Sequence, residues 1–326
     1  MNRFLYKYMP MRASFFEDLM IRATPVIALN DPFEGAFSVQ QIKDLDRNLT
    51  DFYQQNGKQT DKFDDGELDD IAGVIQMDFF DLGIISLTED YNNPLMWAHY
   101  ADEHKGCVVE FDFSKPFFMD SIFESNGRPS RFGKDYLGHT YEYPEKVNYR
   151  RVMPDFSRKE QFVPEDLSEF HGKKFNRTIL YTKSNDWIYE KEQRIVVPLC
   201  HADSIICRDA EDVRSACDKD KNIKVVELEN DKIQIYFPYE YEMHEDVGDQ
   251  SIKDEIYRLT VDYDEPAVHL FRLNPKAISG VYFGCKSKHC DALDKINSNV
   301  SLRHLGHKYK MERNIILYEL DNVKLE

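Results

Sequence analysis

Apolar and polar positions along the chain set out an alternation of short strands and helices from the first residues onward. Residues 3 to 9 alternate as a strand does, and Phe15, Phe16, Leu19 and Met20 then recur at helical spacing behind Ser14, a candidate N-cap. Ile21 to Leu29 reads as a second strand. It runs into Asn30-Asp31-Pro32-Phe33, where proline fixes φ and keeps Asp31 out of the helical region, so a rigid turn is predicted. Gln40 to Phe80 reads as a charged helical pair broken by a loop near Gly57 to Gly66. Leu82 to Thr88 is a buried strand, and Asn92-Asn93-Pro94 opens a helix predicted to reach about Lys105 and to close at Gly106.

Cys107 to Phe113 alternates cleanly, with Cys107, Val109, Phe111 and Phe113 on one face and Val108, Glu110 and Asp112 on the other. Residues 114 to 140 read as a surface loop, and Tyr141 to Arg151 as an extended segment. Glu165 to Lys183 is predicted as an amphipathic helix burying Leu167, Phe170, Phe175, Ile179 and Leu180. Trp187 to Leu199 is the next strand region, and its Ile195-Val196-Val197 run suits a strand covered on both faces. Ile278 to Phe283 returns as a core strand, followed by a helix over 287–298 and a last strand at Ile315 to Leu320. The pattern is that of an α+β fold with a mixed, mainly antiparallel central sheet and flanking helices, in one domain over residues 1–326. It would carry two additions, the helical pair at 40–80 and an acidic segment at 200–265.

Composition agrees with a folded chain and narrows its partners. The 326 residues are 42% hydrophobic and 13% aromatic, enough apolar surface for a large core. Against 42 Lys plus Arg stand 59 Asp plus Glu, a net charge of −17. Such a surface repels phosphate backbones and anionic lipid, so non-specific nucleic-acid and membrane binding are disfavoured. The excess is uneven: Glu245 to Glu265 holds eight carboxylates opposed only by Lys253 and Arg258, whereas the motif-bearing segments contain Lys7, Lys105, Arg150, Arg151 and Arg194. A small nucleotide-like anion therefore stays admissible. Six cysteines without Cys-x-x-Cys spacing read as reduced thiols, and no secretory leader or membrane-length apolar run is visible, so a cytoplasmic location is expected.

Three places could carry chemistry. In Trp187 to Arg194, an extended chain would turn Glu190, Glu192 and Arg194 to one side, and two carboxylates on a buried strand demand a cation or a task. A structural ladder with Arg194 satisfies that demand as well as a catalytic carboxylate does. On the 94–105 helix, Met96, His99, Tyr100 and Glu103 share a face that could wall a pocket, beside Trp97; a core helix with satisfied polar tips is the plainer account. Lys7, Tyr8 and the Asn30-Asp31 turn could bind ribose hydroxyls or an amide, or simply form a structural Asx turn. No metal is expected, because His99, Glu103 and His104 lack the spacing of zinc helices, and Cys285, His289 and Cys290 lack a second ligand pair. Walker, GxGxxG and GxSxG motifs are absent.

Leu5-Tyr6-Lys7-Tyr8, Asn30-Asp31-Pro32-Phe33-Glu34, Ser86-Leu87-Thr88, Met96-Trp97-Ala98-His99-Tyr100 with Lys105-Gly106, Val147-Asn148-Tyr149 and Trp187 to Arg194 together resemble the bacterial domain-of-unknown-function family numbered 2971. Glu190-Lys191-Glu192 at the head of a core strand, following an N-terminal strand and turn, is also similar to ADP-ribosyltransferases. That resemblance implies an ADP-ribosyltransferase-like sheet and NAD as substrate. It implies Glu192 as the residue that stabilises the ribose cation, Glu190 as orienting the acceptor, and Lys7, Tyr8, Asn30, Asp31, Trp97, His99, Tyr100 and Arg194 around the nucleotide. Lys7-Tyr8 stand where such enzymes place His or Arg, and no Ser-Thr-Ser element follows. The enzyme reading is a toxin or phage-defence transferase acting on a protein or other macromolecule. The alternative is a non-catalytic ligand sensor or interaction module, and the least favoured is a metal-dependent nuclease using Glu190, Glu192 and Asp31.

Overall fold

The computed structural model describes residues 3–57, 63–119, 143–157, 170–238, 247–262 and 265–325. The first half runs β1 (Phe4–Met9), α1 (Phe15–Asp18), β2 (Met20–Pro25), α2 (Val39–Gln55), α3 (Asp65–Phe80), β3 (Leu82–Thr88), α4 (Pro94–Tyr100) and β4 (Cys107–Asp112). Next come β5 (Glu145–Lys146), β6 (Asn148–Arg150), α5 (Phe170–Leu180), β7 (Thr182–Ser184), β8 (Glu192–Pro198), β9 (Ser204–Arg208), α6 (Glu211–Cys217), β10 (Lys224–Glu227) and β11 (Lys232–Tyr236). The chain ends with α7 (Val247–Leu259), β12 (Val268–Arg272), β13 (Ile278–Phe283), α8 (Cys290–Ser298), β14 (His307–Arg313) and β15 (Leu320–Lys324).

Thirteen of the strands form one sheet, in the order β10-β11-β9-β12-β2-β3-β1-β4-β13-β14-β15, with β8 on β3 and β5 on β8. All its pairs are antiparallel except β13 with β14, so the protein is a mixed α+β fold on a large, mainly antiparallel sheet. Strands β6 and β7 form a separate parallel ribbon. Residues 204–236 supply β9, β10 and β11, which continue the main sheet through β12.

Side-chain alternation distributes three apolar clusters over the sheet. Leu5, Cys107, Val109, Phe111, Ile195 and Val197 enter the largest, together with Phe16 and Phe271. Their neighbours point the other way: Val196 packs with Val26, Phe79 and Phe175, and Val108 packs with Tyr8, Trp97 and Tyr282. Helices α2 and α3 start in capping boxes at Ser38/Gln41 and Asp64/Glu67, which satisfy their first amide groups.

Several boundaries differ from the expectation. Ser14 makes no capping hydrogen bond, and α1 stops after one turn at Leu19, whose φ of 53° is left-handed. The second strand ends at Pro25 and becomes a 3-10 turn over Val26–Ala28. Helix α4 begins as predicted, with the Asn93 side chain accepting from Leu95 N–H and Pro94 at the first position, but it ends at Tyr100. Asp102, Glu103 and His104 then take positive φ, and Gly106 donates its N–H to Ala101 O at 2.8 Å. A Cβ at Gly106 would lie 2.2 Å from Met9 O, so only glycine allows this close return. Helix α5 is described from Phe170 onward; residues 165–169, like nearly all of the loop read at 114–140, fall outside the described residues. Residues 185–190 form a 3-10 turn, not a strand, and β8 begins after the left-handed Lys191. Ile315–Glu319 is the loop joining β14 to β15, because the Asn314 side chain accepts from Ile316 and Leu317 N–H and turns the chain there.

Candidate functional site

Strand β3 pairs with β8 along its whole length, from Leu82↔Pro198 to Thr88↔Glu192. Its other edge forks. Strand β2 pairs with it only at Gly83 and Ile84, and β1 only at Thr88. Between them the β3 backbone at Ile85–Leu87 faces neither strand, and the Lys7 ammonium donates to Ser86 O at 2.9 Å in that gap. An open cleft of about 710 Å³ sits over the fork, lined by Tyr6, Lys7, Tyr8, Asn30, Glu34, Ser86, Met96, Tyr100, Lys183, Glu190 and Glu192 among others.

The carboxylates here are buried and collectively paired. Arg194, 1% exposed, donates Nε to Glu192 Oε1 at 2.8 Å and Nη2 to Glu192 Oε2 at 3.0 Å. Its Nη2 also meets Glu34 Oε2, and its Nη1 donates to Leu180 O at 2.6 Å. Lys183 Nζ reaches Glu190 Oε2 at 2.6 Å, Glu34 Oε1 at 3.1 Å and Glu192 Oε2 at 3.2 Å. Tyr100 donates its hydroxyl to Glu190 Oε1 at 2.5 Å, and the Tyr149 hydroxyl accepts Glu192 N–H at 2.8 Å. Three carboxylates thus share two cations, with Lys7 as the third positive group in the cleft.

Burial would raise the Glu192 pKa, but Arg194 and Lys183 overcome it and hold the carboxyl below its ordinary value. For Glu34 burial wins, helped by the charge of Glu192, and its pKa lies above the ordinary value despite Arg194 and Lys183. Burial and the Glu190 carboxylate push Tyr100 up, so its hydroxyl stays a donor. Lys7 is drawn down from 10.5 to about 8, by burial first and by Arg22 and Arg12, against the opposing pull of Glu192 and Glu190.

That shift gives a direct expectation. Between pH 8 and 10.5 the unfolded chain keeps a proton that folded Lys7 has lost, so this group makes stability rise with pH across that window. Lys7→Met should remove the rise, by at most about 3 kcal/mol. Denaturant titrations of both proteins at several pH values between these limits would show wild type gaining on the variant; parallel profiles would contradict the assignment.

The structure brings Lys7, Tyr8, Asn30, Tyr100, Glu190 and Glu192 into one cleft, with Arg194 directly behind Glu192. Glu190 arrives there from the 3-10 turn instead of from an extended strand. Four of the proposed binding residues do not line it: Arg194, which lies behind Glu192, and Trp97, His99 and Asp31. Trp97 is fully buried in the third cluster, its indole N–H donating to Tyr91 O at 2.9 Å, so the core account of that side chain holds. His99 is exposed: on α4 it is Met96 and Tyr100, about one turn apart, that reach the cleft, and His99 lies to the solvent side of them. Asp31 closes the Asn30–Glu34 turn, accepting from Phe33 N–H at 3.0 Å.

Sequence reasoning missed Lys183 and Glu34 as site residues, along with Tyr149. The signal was charge balance: Glu190 and Glu192 buried beside a single Arg194 called for another cation. Among the described residues no group of His, Cys, Asp and Glu side chains is placed to hold a metal ion, and no helix is long and apolar enough to cross a membrane. All six cysteines are free.

Residues 96–195 match the model of a family described as a protein of unknown function, DUF2971. No curated protein and no solved structure matches the chain.

Proposed function

For a chain that carries the DUF2971 segment over residues 96–195, we propose that the cleft over the β3 fork cleaves the nicotinamide–ribose bond of NAD and passes ADP-ribose to an acceptor. The observation that carries this reading is the convergence of both carboxylates of Glu190-Lys191-Glu192 with Lys7, Tyr8, Asn30 and Tyr100 around one open cleft. As nicotinamide departs with the bonding electron pair, positive charge grows on the ribose ring. A carboxylate kept ionised in a partly desolvated pocket stabilises that charge. Arg194 and Lys183 keep Glu192 in this form, and Glu190, positioned by Tyr100 and Lys183, orients the acceptor nucleophile, which loses its proton on bonding to the ribose carbon. Lys7 and Tyr8 contact the ribose or phosphate. A sheet of ADP-ribosyltransferase type and a toxin or phage-defence setting belong to the same proposal.

The test is nicotinamide release and label transfer from radiolabelled NAD, with and without cell lysate. Wild type should consume NAD, and Glu192→Gln and Glu190→Gln should each reduce the rate at least 100-fold while the purified variants remain folded by circular dichroism. Equal rates in wild type and both variants would overturn the assignment.

One observation favours a second reading, a ligand sensor without turnover. Both Glu192 oxygens already accept from Arg194, and one also from Lys183, as in a structural ion-pair network. On that reading NAD raises the melting temperature with concentration according to its affinity and is recovered intact.

A further inference from the structure

The ribbon of β6 and β7 separates the cleft from a second cavity. Its register pairs Tyr149 with Lys183 and Arg150 with Ser184. Alternation then divides the ribbon by face. Tyr149 and Lys183 turn toward the buried carboxylates, where they engage Glu192 N–H and the three glutamates. Arg150, Thr182 and Ser184 line the other side, a solvent-open cavity of about 610 Å³ completed by Arg151, Val152, Met153 and Phe33, and Lys183 borders both spaces. The Asn30–Glu34 turn works in the same way: Asn30 and Glu34 face the cleft, and Phe33 faces the second cavity.

Two features of this cavity point to a ligand. Arg150 and Arg151 are adjacent, exposed, and have neither a carboxylate nor a hydrogen-bond partner among the described residues. Two guanidinium groups without a carboxylate at one cavity form a local excess of positive charge in a chain whose net charge is −17. Beside them Phe33, Val152 and Met153 are 64%, 73% and 44% exposed. Apolar side chains left open in a cavity with two guanidinium groups suit a molecule with an anionic end and a flat apolar body. Phosphate matches the arginine fork, and an aromatic base matches the Phe33 ring and the Val152 and Met153 side chains.

We infer that this cavity is a second ligand site, distinct from the cleft, that binds a phosphate-bearing nucleotide with its phosphates on Arg150 and Arg151. The site does not depend on the reaction proposed above, since Arg150 and Arg151 do not line the cleft and no glutamate lines this cavity.

ADP is the probe, followed by isothermal titration with the full chain, with adenosine and inorganic pyrophosphate as comparison ligands. Wild type should bind ADP, with affinity falling as salt rises. Arg150→Gln/Arg151→Gln should weaken it at least tenfold, and Glu190→Gln should leave it within twofold. Pyrophosphate should compete, and adenosine should bind at least tenfold more weakly than ADP. The inference fails if ADP does not bind wild type, if the double arginine variant binds as tightly, if adenosine matches ADP, or if Glu190→Gln alone abolishes binding. NAD turnover is read separately, so a protein that binds ADP here without consuming NAD upholds this site and rejects only the catalytic proposal. Both arginines are exposed, so the double variant should keep the wild-type melting temperature.

Discussion

Arg194→Met should destabilise the protein by about 3–5 kcal/mol, the cost of leaving buried carboxylates without their cation. Arg194 is the guanidinium that binds both oxygens of Glu192, reaches Glu34 and donates to Leu180 O. Its removal strands two buried glutamates without their shared guanidinium. Arg194→Lys should recover only part of the loss, because one ammonium cannot reproduce a forked contact to two carboxylates and a carbonyl. The variant's deficit should shrink as pH falls through the carboxylate range. With the cation gone, the already raised folded-state pKa of Glu34 climbs further and that of Glu192 rises above its unfolded value, so protonation favours the folded form at low pH. Equilibrium denaturation of wild type and Arg194→Met at pH 7 and pH 5 measures both effects. A deficit under 1 kcal/mol at pH 7 would show that the network does not hold the fold.

Lys183→Met should cost a similar amount, about 3–5 kcal/mol, for a related reason. Burial opposes the charge of Lys183, yet the attraction of Glu192, Glu34 and Glu190 outweighs it and raises the ammonium pKa. Stability from this group is therefore complete below the ordinary lysine range and is lost as pH rises through the elevated folded value. Methionine keeps most of the side-chain volume and removes the charge. Adding Glu190→Gln to Lys183→Met should return part of the loss, since the shortest of the three contacts, 2.6 Å to Glu190 Oε2, then no longer leaves a bare carboxylate. The double-mutant cycle should give a coupling of about 1–3 kcal/mol. Additive effects within 0.5 kcal/mol, about the usual error for independent sites, would mean that the two side chains do not share their energy.

Local patterns carried the elements of this fold further than they carried the site. The alternation of Cys107 to Phe113 gave β4 with both faces correctly assigned, and Asn93-Pro94 gave the start of α4. Its end was not readable, because it depends on the Gly106 backbone meeting Met9 and Ala101, a contact set by β1. The apolar run Ile315 to Leu317 has strand character, but Asn314 bends the chain there and leaves Ile315 98% exposed. At the site, the Glu190, Glu192 and Arg194 grouping was visible as a period of two, although Glu190 reaches it from a 3-10 turn. Lys183 was assigned to the end of a helix; only the ribbon pairing of β7 with β6 turns it toward the glutamates. Glu34 looked like the last residue of a turn, and nothing near it in sequence foretells Arg194, 160 positions away.

The fork in β3 bears on when the cleft can exist at all. The contacts that define it close loops of 79 residues between Lys7 and Ser86, 102 between Thr88 and Glu190, and 160 between Glu34 and Arg194. Loops of that length are costly to close, so pairings of this kind form slowly and late in folding. The segment 96–195 contributes Tyr100, Lys183, Glu190, Glu192 and Arg194, but the floor and far wall come from β1, the Asn30–Glu34 turn and β3. Half of a charged pocket is no pocket. Expressed alone, that segment would display its glutamates to solvent without the lysine and strand edges that enclose them, and during synthesis the cleft has to wait until β8 has emerged and closed against strands made more than a hundred residues earlier.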